Sequence, residues 1–255
     1  MHDPFSVAGK VTVITGGGTG IGASIAREFG VRGAPVLICG RRSTPLEETR
    51  DAIRKAGGQC EMATCDVRES ANLDALIAAA AKHFGRVDVM VNNAGAAVIK
   101  RIVELSDEEW HNTVASFYDS VFYGSRAAAR QMIAQGKGGS IVNISSNSAF
   151  MGWPGLAPYT STKAAVNNFT MTAAAEWAPF NIRINAICPG PIFVERNTGR
   201  TDYLEKQAAS RPMQRMGRVE EIAYPAIFLA SDASSYMTGT TLLIEGGPGW
   251  RIDLI

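Results

Sequence analysis

Tyr159 and Lys163 stand four residues apart in "APYTSTKAAV", residues 157 to 166, within a stretch patterned as helix. Side chains at i and i+4 share one helix face, so an ammonium would lie beside a phenol. A free tyrosine titrates near 10, which makes it a usable proton donor and a poor base. A neighbouring positive charge favours phenolate and lowers that value. One pK unit is worth about 1.4 kcal/mol, so a shift of roughly two or three units brings the phenol into working range. The pair suits a reaction in which an oxygen gains or loses negative charge. A second hydroxyl is available from Ser145 or Ser146, at the end of the strand-like run "SIVNIS" (140 to 145). Two donors on one developing oxyanion stabilise it without a metal.

These residues need a scaffold, and the chain supplies a regular one. Short apolar runs at 11 to 15, 35 to 40, 60 to 67, 87 to 93, 140 to 145, 182 to 188 and 241 to 245 read as strands. Helical patterns cover 43 to 56, 69 to 84, 107 to 135 and 158 to 178. This alternation predicts a single α/β domain over 1 to 255, with a parallel sheet wrapped by helices on both faces. Strands apolar on consecutive residues fit a sheet covered on both sides. The segment 189 to 217 is rich in turn formers and charges and reads as a lid.

After the first strand comes "TGGGTGIG", residues 15 to 22, opening directly into a helix. Glycines at a strand-to-helix turn let the backbone approach a pyrophosphate, which the helix N-terminus then attracts. Placed in a βαβ unit, the loop predicts a dinucleotide site. The second strand ends in "CGRR". An acid there would accept from the ribose hydroxyls and repel a 2′-phosphate, whereas Arg41 and Arg42 can hold that phosphate. NADP(H) is therefore the expected cofactor, with NAD(H) as the weaker candidate. Asp66 and Val67 in "CDV" are expected at the adenine edge, and Asn93, Ala94 and Gly95 of "NNAG" beside the cofactor.

Composition narrows the partners. Among 255 residues, 25 Lys+Arg against 24 Asp+Glu leave a formal charge of +1, without the footprint of a nucleic-acid or anionic-membrane binder. No run reaches the roughly 18 apolar residues of a spanning helix, and "MHDPFSVAGK" lacks the apolar core of a signal peptide. A cytoplasmic enzyme is the expectation. Cys39, Cys60, Cys65 and Cys188 lack metal-site spacing and read as buried free thiols. His2, His83 and His111 are isolated, so no metal site is expected.

Taken in order, Thr15-Gly16-xxx-Gly20-Ile21-Gly22, Asn92-Asn93-Ala94-Gly95, Ser146, Tyr159-xxx-Lys163 and Pro189-Gly190 resemble the short-chain dehydrogenase/reductase family across essentially the whole chain. The resemblance implies a doubly wound, seven-stranded parallel Rossmann sheet and a nicotinamide cofactor. It also implies a Ser146-Tyr159-Lys163 centre, the serine preferred over Ser145 because it lies thirteen residues before the tyrosine. Cofactor contacts are expected from Thr15, Gly16, Gly18, Thr19, Gly20, Ile21, Gly22, Arg41, Arg42, Asp66, Val67, Asn93, Ala94, Gly95, Tyr159, Lys163, Pro189, Gly190, Ile192 and Val194. Substrate contacts are expected from Ser146, Ser148, Trp153, Tyr159 and Phe193. Homo-oligomers, tetramers or dimers, are usual in the family, built on the helices around 107 to 135 and 158 to 178.

Two departures stand out. Family members usually carry an asparagine seven residues beyond a tryptophan, as part of a proton relay behind the lysine. Here Trp110 is followed at that distance by Phe117, leaving Ser116, Tyr118 or Ser120 as substitutes, with Asn112 a candidate if the helix is kinked. A threonine expected four residues after Gly190 is Val194. The leading expectation is an NADP(H)-dependent reductase or dehydrogenase for a small, mostly apolar ketone or secondary alcohol. Its rivals are a dienoyl- or enoyl-thioester reductase of the same superfamily and a turnover-deficient NADP(H)-binding regulator.

Overall fold

A computed structural model of the protein describes residues 3–247; His2 lies outside them, as does the side chain of Arg196. In chain order the elements are β1 (Thr12–Thr15), α1 (Gly20–Val31), β2 (Val36–Gly40), α2 (Ser43–Lys55), β3 (Cys60–Thr64), α3 (Ser70–Phe84), β4 (Val89–Asn92) and α4 (Asp107–Val114). They continue with α5 (Ser120–Gln135), β5 (Gly139–Ile144), α6 (Ala157–Trp177), β6 (Ile182–Pro189), α7 (Thr201–Ala209), α8 (Glu220–Ala230) and β7 (Thr241–Ile244). The strands form one seven-stranded sheet in the order β3-β2-β1-β4-β5-β6-β7, every pairing parallel. Parallel neighbours require helical crossovers, which the sequence supplies between successive strands.

The consecutive apolar residues of each strand serve two cores. Ile14, Ile38, Val91 and Val142 pack with α1, α2 and α8 on one face. Their neighbours Val13, Leu37, Met90 and Ile141 pack with α3, α5 and α6 on the other. Side chains alternate across a strand, so a sheet covered on both sides needs apolar residues at both phases.

A buried polar chain fixes α6 against the sheet. Asn92 Nδ2 donates to Ser125 Oγ and to Asn143 Oδ1, each at 2.9 Å, and Asn143 Nδ2 donates to Thr170 Oγ1 at 2.9 Å. Asn92 and Asn143 are register partners on β4 and β5. Buried amides must find partners, so this chain specifies where α6 lies along β5. Tyr159 and Lys163 travel with that helix.

The run expected as strand to Val67 ends at Thr64: Cys65 N–H still reaches Gly40 O, but the chain then turns as Asp66 accepts from Arg68 N–H. The helix expected over 107 to 135 is interrupted by a π-turn at Ala115–Asp119. Segment 189 to 217 holds the short helix α7, and its ends are pinned together. Phe193 N–H donates to Gly217 O at 2.8 Å and Gly217 N–H to Pro191 O at 2.9 Å.

Glu221, in the first turn of α8, anchors the far end of that segment. Its carboxylate accepts from both terminal nitrogens of Arg215, at 2.8 and 2.7 Å, and from Arg218 N–H at 2.8 Å. The Arg215 fork, then the Arg218 amide, hold the Glu221 carboxyl down at about 2, against an ordinary 4.5. A depressed carboxylate contributes stability above its ordinary value and loses it as pH falls through the folded one. Glu221→Gln is therefore expected to cost about 1 to 2 kcal/mol at pH 7. In urea titrations the difference from the parent narrows as pH is taken from about 4.5 towards about 2.

Candidate active site

Every segment singled out for chemistry leaves the carboxyl edge of the sheet, where β1 and β4 diverge in chain order and open a crevice. The loop after β1 reaches α1 through Gly16 and Gly20, both with positive φ (69° and 55°). Gly22 is required by closeness rather than by φ: a Cβ there would overlap Gly16 O and Asn93 Nδ2. No acid occupies the first turn of α1, and the Thr19 side chain does not cap it. The exposed N–H groups and positive helix end thus form a cradle that fits a pyrophosphate.

Thr15 and Asn93 build that cradle. Thr15 Oγ1 accepts from the backbone N–H of Asn93 and of Ala94, at 3.0 and 3.1 Å. Asn93 Nδ2 donates to Thr15 O at 2.9 Å and to Gly16 O at 3.3 Å. The two side chains clamp the glycine loop to the end of β4. Thr49 Oγ1 donates to Gly18 O at 3.4 Å and steadies the loop from α2. Ile21 is partly buried against the first core, and Val194 from the segment after β6 lies over Gly20.

At the adenosine end, Arg41 and Arg42 are exposed, no acid occupies the first turn of α2, and neither arginine forms an ion pair among the described residues. Asp66 is engaged by Arg68, through Nε at 3.0 and 3.1 Å and through a terminal nitrogen at 2.6 Å. The Arg68 guanidinium holds the Asp66 carboxyl below the usual range, and the more distant Arg41 adds to this. Arg68 also donates to Asn112 Oδ1 at 2.9 Å, tying α4 to this corner. Val67 is buried in the second core. Arg68 escaped the sequence reading because nothing in its spacing marks it.

Lys163 is buried, at 3% exposure, and its Nζ donates to Ile144 O at 2.6 Å. Burial pulls its ammonium down to about 7 from an ordinary 10.5, with Cys188 acting weakly in the opposite sense. Phe117 is buried too, with its ring centroid 4.5 Å from Lys163 Nζ and 5.0 Å from the Tyr159 ring, edge to face. A Cβ on Gly95 would overlap the Phe117 ring, so that glycine is set by closeness as well. Ser145 Oγ donates to Lys163 O at 3.1 Å and is spent on α6. Ser146 Oγ instead accepts the Ser148 N–H at 3.1 Å, leaving its own hydrogen to be donated. Of the residues expected at the substrate, Ser148 is buried while Trp153 and Phe193 are exposed, as is Phe150. Pro189 ends β6, Gly190 N–H donates to Ile244 O, and Ile192 is bridged to Gly217.

The whole chain is similar to proteins of known family. A family model described as Enoyl-(Acyl carrier protein) reductase matches residues 16–248. A 3beta-hydroxysteroid dehydrogenase 1 of Eggerthella lenta is 39% identical over 98% of both chains, and a gluconate 5-dehydrogenase of Gluconobacter oxydans is 34% identical over 96% of both. A short-chain type dehydrogenase/reductase from Mycobacterium marinum superposes with a TM-score of 0.92 at 34% identity, covering 96% of this chain and 97% of that one. This chain belongs to the short-chain dehydrogenase/reductase family. It is an oxidoreductase of that family, and its cofactor is a nicotinamide dinucleotide. A further relative, from Agrobacterium tumefaciens, was solved with bound NADP and superposes with a TM-score of 0.89 at 32% identity, over 96% and 98% of the chains. Among the described residues no helix is long and apolar enough to cross a membrane, and no group of His, Cys, Asp and Glu is arranged to hold a metal.

The depressed Lys163 ammonium has a consequence for stability. Between about pH 7 and 10.5 the unfolded chain carries a proton on this lysine that the native state lacks, so stability from this group rises with pH through that window. Below about 7 the cost of the buried charge is fully present. Lys163→Met is expected to raise the urea midpoint of the cofactor-free protein at pH 7, with the gain shrinking towards pH 10. A lower midpoint at pH 7 would mean that the Ile144 and Phe117 contacts outweigh desolvation.

Proposed function

We propose that the protein is an NADP(H)-dependent oxidoreductase that interconverts an apolar ketone and its secondary alcohol. The observation that supports this reading is buried Lys163, its Nζ 5.7 Å from the Tyr159 ring centroid and bonded to Ile144 O, at the end of the strand that Ser146 follows and at the sheet edge that also carries the glycine loop. When bound, the nicotinamide supplies or accepts the hydride. Tyr159 supplies the proton to the oxygen that becomes hydroxyl, and withdraws it in the reverse direction. Lys163, when charged, favours the phenolate. Ser146 donates to the same oxygen, so two hydrogen bonds meet the developing charge.

Gly16, Gly18, Thr19, Gly20, Ile21 and Gly22 would hold the pyrophosphate, with Ala94 and Gly95 lining the floor. Pro189, Gly190, Ile192 and Val194 would hold the carboxamide through backbone groups. Asp66 and Val67 would border the adenine, with Asp66 already held by Arg68. Arg41 and Arg42 support NADP(H) over NAD(H), because both are exposed beside an acid-free helix start. Exposed Phe150 and Trp153, in the stretch between Ser146 and Tyr159, and exposed Phe193, in the segment after β6, support an apolar substrate. Residues 189 to 217 act as the lid. Exposed Phe122, Ile133 and Met171 on α5 and α6 support a homo-oligomer, tetramer or dimer, through those helices.

A second reading, a dienoyl- or enoyl-thioester reductase, is favoured by the description of the matching family model. One panel separates them: isolated ketones, secondary alcohols and conjugated thioesters, followed at 340 nm with each nicotinamide cofactor. Turnover of ketones or alcohols is expected, falling about 100- to 10,000-fold in Tyr159→Phe. Reduction of thioesters alone would favour the second reading, and no turnover of any class would favour a binding-only regulator. Arg41→Ala/Arg42→Ala is expected to raise the KM for NADPH about tenfold or more while sparing that for NADH. An unchanged preference would remove the arginines from the argument.

A further inference from the structure

Phe117 touches both members of the proton-transferring pair and is otherwise unaccounted for. Its ring meets the Lys163 ammonium at 4.5 Å and the Tyr159 ring at 5.0 Å, while its edge fills the space that a side chain on Gly95 would need. The π-turn at Ala115–Asp119 turns it inward. Of the four groups that could replace the relay, Ser116, Ser120 and Asn112 are spent elsewhere, and Tyr118 is half-buried. Ser116 Oγ accepts from Ala96 N–H and donates to Ala96 O, Ser120 Oγ donates to Ser116 O, and Asn112 is held by Arg68. The titratable groups facing Lys163 are Tyr159 on its own helix and Cys188 on β6; β5 contributes the uncharged Ile144 carbonyl, and the π-turn contributes the uncharged ring.

We infer that Phe117 is a positioning residue for Tyr159 and Lys163, whose ring holds the ammonium in place and closes the pair off from water on the α4–α5 side. Protons lost by Tyr159 are then replaced through the open cofactor and substrate face of the cleft. The physical basis is the ring quadrupole: an aromatic face attracts a desolvated cation, and more strongly when no water competes. A hydrocarbon ring also offers no lone pair to carry a proton, so the same side chain that steadies the charge interrupts any path behind it. A ring that stabilises the ammonium keeps Lys163 charged to higher pH, and a charged Lys163 favours phenolate on the neighbouring tyrosine.

This inference rests on the proposed role of Tyr159, so its test is independent of turnover. The Lys163 ammonium of the full cofactor-free chain is titrated by nitrogen-15 NMR of labelled lysine, its resonance identified by its loss in Lys163→Met. Phe117→Leu keeps the apolar bulk but loses the ring face, and the Lys163 midpoint is expected to fall by about half a pH unit or more. Phe117→Tyr keeps the ring and is expected to restore the parent midpoint. Closure is read from hydrogen exchange at Lys163 Nζ, followed by nitrogen-15 NMR of labelled lysine at pH 6. Exchange is expected to stay slow in Phe117→Leu and to quicken about tenfold or more in Phe117→Asn. A midpoint unmoved in Phe117→Leu, or exchange unmoved in Phe117→Asn, overturns the inference. Should Phe117→Asn not fold, Phe117→Leu and Phe117→Tyr still decide the positioning role. Ketone turnover with unmoved titration leaves the proposed function standing and removes Phe117; a clear titration shift without turnover does the reverse.

Discussion

Burying an ammonium costs several kcal/mol unless its protons find partners, and the region around β5 and α6 is arranged to keep Lys163 tolerable. Its Nζ has the Ile144 carbonyl at the strand end and the Phe117 ring from the π-turn. The lysine's own backbone carbonyl is held by Ser145. These contacts come from different elements, so the charge is stable only when β5, α6 and the α4–α5 corner are all in place. Burial nonetheless pulls this ammonium down to about 7.

The sheet gives that charge a fixed address. Parallel strands all end at one edge, so the turns after β1, β4, β5 and β6 converge there whatever their distance in sequence. Buried amide pairing between Asn92 and Asn143, extended to Thr170, holds α6 at one height along β5. A slip of that helix by one turn would leave buried donors unpaired, a penalty comparable to the lost hydrogen bonds themselves. The cofactor cradle is fixed in the same way, by Thr15 and Asn93 clamping the glycine loop to the neighbouring strand. Rigid support of this kind is what a hydride-transfer site needs, because small misplacements of reacting groups are costly in rate.

Local patterns carried much of this information. Apolar runs at both strand phases announced a sheet with two covered faces, and each was found as a strand, since burial on both sides leaves few other readings for such runs. The glycine loop, the arginines after β2 and the Tyr-Lys spacing were legible because backbone closeness, charge and helical periodicity act over a few residues. The preference for Ser146 over Ser145 came from its spacing to Tyr159, but a physical reason for it is not local. It turns on which hydroxyl α6 consumes, and α6 begins more than ten residues later. Asn112 likewise looked free along the chain and proved to be tied to Arg68 across the molecule.

By itself, then, the sequence determined the fold class, the strand and helix order and the chemical types at the site, because those follow from periodicity and short-range spacing. Tertiary structure alone decided that the long helix would break into a π-turn, that Phe117 would face Lys163 rather than the core, and that Asp66 would be held by Arg68. Each depends on groups brought together from distant segments, where packing and desolvation, rather than local propensity, set the outcome.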